Sequence, residues 1–267
     1  MVEFEIIKTS GRNLVDGQES AIDLFSMDEN MEGVTARIPG IGIAHQHGFY
    51  TMPDESTAKT FEAIIFDHHA ANAWWQHSFE DTGGGEFPDC FSMDGIRPDP
   101  NSLMVHGTCQ GCPKNEFGTA VDDDGKPGRG KACKNMKRLH LILPHETIPH
   151  RLILPPSNIE CADTFLSACL SKNLPHQLVP VTFSLKDASS ATGILFQKVV
   201  IKPEIVKLKD GRNSFKFITD QAAQKTIRRY FDDWKPIVRE EPIILDDMEN
   251  EYAAGSGPQS APDEPTF

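Results

Sequence analysis

Between Asp89 and Leu139 the chain reads Asp89-Cys90-Phe91-Ser92-Met93-Asp94-Gly95, then Gly107-Thr108-Cys109-Gln110-Gly111-Cys112-Pro113-Lys114-Asn115-Glu116-Phe117-Gly118-Thr119, and then Gly128-Arg129-Gly130-Lys131-Ala132-Cys133-Lys134-Asn135. Four of the six cysteines fall in this stretch. Zinc takes four ligands at tetrahedral corners, and a C-x-x-C turn such as Cys109–Cys112 supplies two of them from one tight loop. Cys90 and Cys133 complete the set if the intervening chain folds back. The stretch is too rich in glycine and charge to build a hydrophobic core, so a metal is the staple expected of it. The expectation is a structural zinc held by Cys90, Cys109, Cys112 and Cys133. The competing reading is a free or redox-active C-x-x-C; a thioredoxin-type pair sits between a strand and a helix, whereas this one sits in a glycine-rich loop.

Outward from this loop the pattern is mostly strand. Val34, Ala36 and Ile38 alternate, with Ile41 and Ile43 after the Pro39-Gly40 turn and Phe49-Tyr50 beyond. Thr60 to Trp75 reads as a long strand or hairpin, with the two tryptophans of Trp74-Trp75 on opposite faces, one expected to be buried and the other exposed. Leu139, Leu141 and Leu143 alternate, and Arg151 to Leu154 forms a short run ended by Pro155-Pro156. Ser157-Asn158-Ile159-Glu160 has the form of a capping box, serine as cap, opening a helix with Ala162, Phe165, Leu166, Cys169 and Leu170 on one face. Cys169 reads as core and Cys161 as an inert thiol off that face. Strands follow at Leu178 to Leu185 and Gly193 to Ile201, then a helix from Asp220 to Trp234 that Pro236 ends. The sum is a mainly β chain with some α: an OB-type Greek-key barrel of five to seven strands, an inserted zinc loop at 89–139, a capped central helix and a C-terminal helix. The core domain is 1–239, and the acidic, Gly-Ser-Pro-rich 240–267 reads as a disordered tail.

With 267 residues the chain can bury a sizeable core. No run of about 18 apolar residues predicts a membrane span. The first residues lack the basic and apolar regions of a signal peptide, and clustered cysteines fit a reducing compartment, so a cytoplasmic location is expected. The net charge is −13, but eight acidic residues and no basic one follow Arg239, leaving 26 basic against 31 acidic residues (−5) before them. From Gly107 to Arg138 seven basic residues face four acidic ones, a local +3. The chain is a mildly acidic body with a basic cysteine loop and an acidic end.

The quoted cysteine segments, with the later Leu154-Pro155-Pro156-Ser157 step into a helix, resemble a zinc-containing protein family of bacteriophages and prophages. Members of that family are described as single-stranded-DNA-binding proteins of OB-fold type, and the likeness covers about Cys90 to Leu170. It implies a structural zinc and a protein that coats and protects single strands during replication or recombination, without catalysis and without sequence preference. Bacterial and phage single-strand-binding proteins are similar in carrying an acidic tail with a terminal aromatic. Asp263, Glu264 and Phe267 are the residues of this chain that would dock replication or recombination proteins in that way. The end differs in its low charge, and an acidic tail by itself also serves solubility.

Single-strand binding needs cations along the phosphates and aromatic faces for the bases. The candidate cations are Lys114, Arg129, Lys131, Lys134, Lys137 and Arg138. The candidate stacking rings are Phe49, Tyr50, Trp74 and Trp75, with Phe117 beside them, although core packing is the ordinary use of any one ring. Gly125 to Lys131 fits the spacing of a P-loop but continues with Ala132 where the magnesium-binding hydroxyl belongs, which excludes it. Asp67-His68-His69 spells a triplet used by metal phosphoesterases, yet the β-α alternation of those enzymes is missing. His45, His47, His140, His145 and His150 are expected to be satisfied or exposed. The alternative functions are a zinc-ribbon adaptor or transcription regulator contacting a polymerase, and a metallonuclease using the histidines.

Overall fold

The strand expected from Thr60 is the spine of the molecule. The computed structural model describes residues 38–44, 47–77, 87–121, 126, 128–144, 146, 148–189 and 195–240. Expectations for residues 1–37, for His45 and His145, and for the tail beyond Glu240, Asp263, Glu264 and Phe267 included, fall outside these. Among the described residues are β1 (Gly40–Ala44), β2 (Phe49–Thr51), β3 (Thr57–Ala58), β4 (Thr60–Trp74), β5 (Cys90–Ser92), β6 (Lys134–Ile142) and β7 (His150–Leu154). After helix α1 (Ile159–Ser171) come β8 (Val181–Ser189), β9 (Leu195–Pro203), β10 (Ile205–Lys207), β11 (Asn213–Phe215) and helix α2 (Gln221–Glu240). No described helix is long and apolar enough to cross a membrane.

Nine strands form one sheet in the order β3-β2-β1-β7-β6-β4-β8-β9, with β5 added to β4, and β10–β11 form a separate hairpin. All neighbours are antiparallel except β1 and β7. The sheet is strongly curled into a half-barrel. β4 makes the curl possible because it is long enough to change partners. Thr60–Ala63 pair with β8, while Ile64–Ala73 pair with β6 on the opposite edge. Side chains then bring the far ends together: Tyr50 of β2 donates its hydroxyl to Ser184 O of β8 at 3.1 Å and meets Phe61 edge-on, and Phe61 stacks on Phe183. Asn158 links the chain after β7 to β9, donating to Gln197 O at 3.1 Å and accepting from Val199 N–H at 2.9 Å. That one side chain supplies both backbone hydrogen bonds that a further strand pairing would have supplied.

Two cores result. The concave face packs Ile41, Ile43, Ile65, Leu139, Leu141, Leu152 and Val199 under Phe165, Leu166 and Cys169 of α1. The convex face packs Ile64, Phe66 and Ile142 under Ile227 and Val238 of α2. A bulge in β4 between Ile65 and Asp67 changes which residues face which core. Ile64 and Phe66 face α2, but past the extra residue it is Asp67 and His69 that do so, opposite His140 and Arg138 of β6.

Three expectations are corrected. Pro236 does not end α2, which continues through it to Glu240; the missing N–H is tolerated because Val238 is buried in the convex core and Arg239 is tied to Asp67. Ser157 is not the cap of α1: it lies in a 3-10 turn, Asn158 is the cap residue, and its side chain is engaged by β9. Trp74 and Trp75 do not split into a buried and an exposed ring; both are half-buried.

Candidate functional site

The cysteine loop hangs between β4 and β6. Cys90 of β5 sits opposite Trp74 of β4 in register. The Cys109–Cys112 turn closes through Gly111, whose φ of +75° a side chain would strain. Cys109 N–H bonds Ile96 O at 2.8 Å, Asn115 Nδ2 donates to Cys109 O at 2.8 Å, and Cys133 N–H bonds Lys114 O at 2.7 Å. These contacts bring all four cysteines to the wall of one cavity of about 20 Å³, with Asn72, Trp74, Lys114 and Asn115. That is room for one water-sized body. No cysteine is in a disulfide. Burial, and the other three thiols beside it, push the Cys133 thiol up to about 12. A C-x-x-C turn with two further thiols on the wall of one small cavity is a donor set that fits a metal such as zinc. Their sulfurs are gathered but not drawn tight: among the described residues, the one set of three donor atoms all within 4.8 Å of each other is Asp67, His69 and His140.

The predicted DNA contacts divide. Arg138 is 0% exposed in the convex face and Tyr50 is 0% exposed in the concave core, so neither reaches a ligand; both are corrections. Alternation along β6 turns Arg138 inward, and Tyr50 is taken up in closing the curl. Lys131 donates to Asn115 Oδ1 at 3.1 Å and Asn135 Oδ1 at 3.0 Å, so it staples the cysteine loop to β6. Lys137 pairs with Asp163 of α1. Lys114 lies over the Trp74 ring at 4.7 Å, Arg129 is exposed, and Lys134 is half-buried. Phe49 stacks on His47, distant in sheet order from the loop, and Trp75 packs near Met136.

One groove of about 920 Å³ separates the loop from α1, lined by Phe117, Lys131, Lys134, Asn135, Pro156 and Glu160 among others. Phe117 stands on its rim 81% exposed. Lys131 lies 5.0 Å from its ring centre, and the loop behind it is fixed where Gly118, Thr119 and Ala120 N–H groups all bond Gly130 O. Asp163 also faces this groove. A second basic strip escaped the sequence reading: Lys198 to Lys216 holds six basic and two acidic residues. At its start Lys198 lies directly opposite the exposed Lys186 across β9 and β8, with Glu160 of α1 3.8 Å from Lys198 to offset the like charges. Counting charge in a moving window would have found it.

The histidines depart from expectation most. His69 and His140 are 4% and 0% exposed, their rings stacked 5.3 Å apart, and none of their four ring nitrogens has a hydrogen-bond partner. Burial, with Arg138 next to it, pushes His140 down to about 2, and burial lowers His69 as well. Asp67 is buried too. Burial alone would raise its carboxyl, but the His69 ring and Arg239 hold it well below the usual carboxylate range. The ring is 3.8 Å away, beyond hydrogen-bond length, so Arg239 is the effective partner. Its Nε and Nη2 donate to the two carboxylate oxygens at 2.7 and 2.8 Å, and Nη2 also reaches His68 O at 2.9 Å. On the other face of β4, His68 packs against His176, which burial pushes down to about 4. No protein-family model, curated protein or solved structure matches this chain.

Proposed function

We propose that this chain is a single-stranded-DNA-binding protein of phage or prophage type, built on an OB-type barrel with a structural zinc at Cys90, Cys109, Cys112 and Cys133, and acting without catalysis. The observation that carries the reading is the groove between cysteine loop and α1, with an exposed, rigidly held aromatic ring on its rim. Two features support it. The order β4-β6-β7-α1-β8-β9, with β4 shared between β6 and β8, supports the OB-type reading, with β7 paired to β1 in place of β9 so that the sheet stays a half-barrel. In such barrels oligonucleotides lie across strands 2 and 3, here β6 and β7, beside the loop joining strands 1 and 2, here the cysteine loop. The zinc assignment is supported by the cavity of about 20 Å³ whose wall includes all four cysteines.

Phe117 offers a face for a base, and Lys114, Arg129 and Lys134 are the loop cations nearest to phosphates. With about three phosphate contacts, log K should fall with log salt at a slope near −2 for a single strand. Glu160 and Asp163 on the far wall repel phosphate, so the backbone runs along the loop side with bases turned toward α1. The test is fluorescence anisotropy of a labelled mixed-sequence single strand across a salt series, with the duplex as control. Salt-sensitive preference for the single strand is expected. No binding at low salt, even after removal of 241–267, sinks the reading. The polymerase-adaptor function would then lead, favoured by the exposed apolar Ile96, Leu103 and Met104 on the same loop.

A further inference from the structure

Asp67, His69 and His140 are the buried donors that the DNA-binding reading leaves without a task. We propose that they form a second metal site, separate from the cysteines, for a borderline divalent cation of the zinc type. Asp67 Oδ2 lies 3.8 Å from His69 Nδ1 and 3.8 Å from His140 Nδ1. Adjacent ligands around a tetrahedral zinc with bonds of about 2.1 Å stand about 3.4 Å apart, so each carboxylate–imidazole pair closes on an ion within a few tenths of an ångström, and the two imidazole donors start within 4.8 Å of each other. Both imidazoles are buried with every ring nitrogen unpartnered, a costly arrangement that coordination relieves on the side facing Asp67.

The surroundings select the metal. Arg239 grips both oxygens of Asp67 and orients the carboxylate, as outer-shell partners of metal ligands do. Arg138 and Arg151 face His140, so the local charge opposes a hard cation held by electrostatics, such as magnesium or calcium. Two imidazoles instead offer nitrogen lone pairs suited to zinc, cobalt or nickel. The site is closed to substrate, since Asp67 is 5% exposed and both histidines less. Its role is therefore structural, locking β4 and β6 to the last turn of α2 through Arg239. This site does not depend on the cysteine assignment.

The experiment is a cobalt titration of the full chain, freed of metal under reducing conditions and followed by absorption and bound-metal analysis. Cobalt at cysteines gives intense thiolate charge-transfer bands, whereas cobalt on two imidazoles and a carboxylate gives only weak d–d absorption. The expected result is one equivalent bound without thiolate absorption, whether or not a thiolate-bound equivalent accompanies it, and its loss in His140→Leu and in His69→Leu. Absence of such an equivalent in the wild-type chain overturns the proposal by itself, so a variant that fails to fold does not block the test. Leucine variants that retain the equivalent also overturn it.

Discussion

The four cysteines lie along the chain between β4 and β6, and Asp67, His69 and His140 lie on those two strands themselves, so the two groups are held in opposite ways. Cys109, Cys112 and Cys133 come from a loop with little apolar packing of its own, gathered by backbone hydrogen bonds beside Cys90 of β5 around a cavity of about 20 Å³. Asp67, His69 and His140 are placed by a paired sheet beneath a helix, and strand register brings them together. On the zinc reading proposed above, the loop would depend on its ligand for its shape, whereas the sheet sets the positions of Asp67, His69 and His140 by strand register.

Metal removal should separate the two clusters most strongly. Stripping the chain with a chelator, or Cys112→Ser, is expected to open residues 93–133 to protease while β4, β6 and β8 stay protected. Structural zinc sites are worth on the order of 10 kcal/mol in small domains, which sets the scale for the loop. Continued protection of the metal-free loop, read by limited proteolysis and mass spectrometry, would break the comparison. Arg239→Met comes next, because it leaves the Asp67 carboxylate buried without its partner. A fully buried pair would lose ~3–5 kcal/mol, and the 38% exposure of the Arg239 side chain reduces this to about 2 in urea unfolding. Adding Asp67→Asn to that variant should recover much of the loss; no recovery would mean the pair is not the source.

Phe117→Leu sharpens the loop side of the comparison. The ring is exposed, so stability should stay within about 0.5 kcal/mol, while single-strand affinity drops roughly five-fold or more if one base stacks there. Unchanged affinity in a chain that binds single strands would move the base elsewhere. The last test concerns pH. His176 is held near 4 in the fold against 6.5 when free, so the unfolded chain takes up the proton first as pH falls. Stability should therefore decline from pH 6.5 toward 4, by at most ~1.4 kcal/mol per unit, less for solvent screening. In His176→Phe that part of the slope disappears; an identical slope would place the proton uptake on other groups.

Legibility followed distance along the chain. The long strand from Thr60, the helix carrying Phe165, Leu166 and Cys169, and the turn at Cys109–Cys112 rest on local patterns, and each is present where the residues point. The short strands β3, β5, β10 and β11 carry too few residues for alternation to register. Among the cations, spacing could show that Lys131, Lys137 and Arg138 cluster in sequence, but not that one staples the loop, one meets Asp163 and one is buried.

A mainly β chain with two helices, a glycine-rich loop poor in apolar residues and four cysteines within that stretch are matters of local composition and period, and so are legible residue by residue. That Asp67 and His69 face His140 follows from long-range pairing. Strict alternation would have set His68 on the face of Ile64 and Phe66. One extra residue at the bulge after Ile65 reverses that parity, and a helix from the far end of the described chain lowers Arg239 onto the carboxylate.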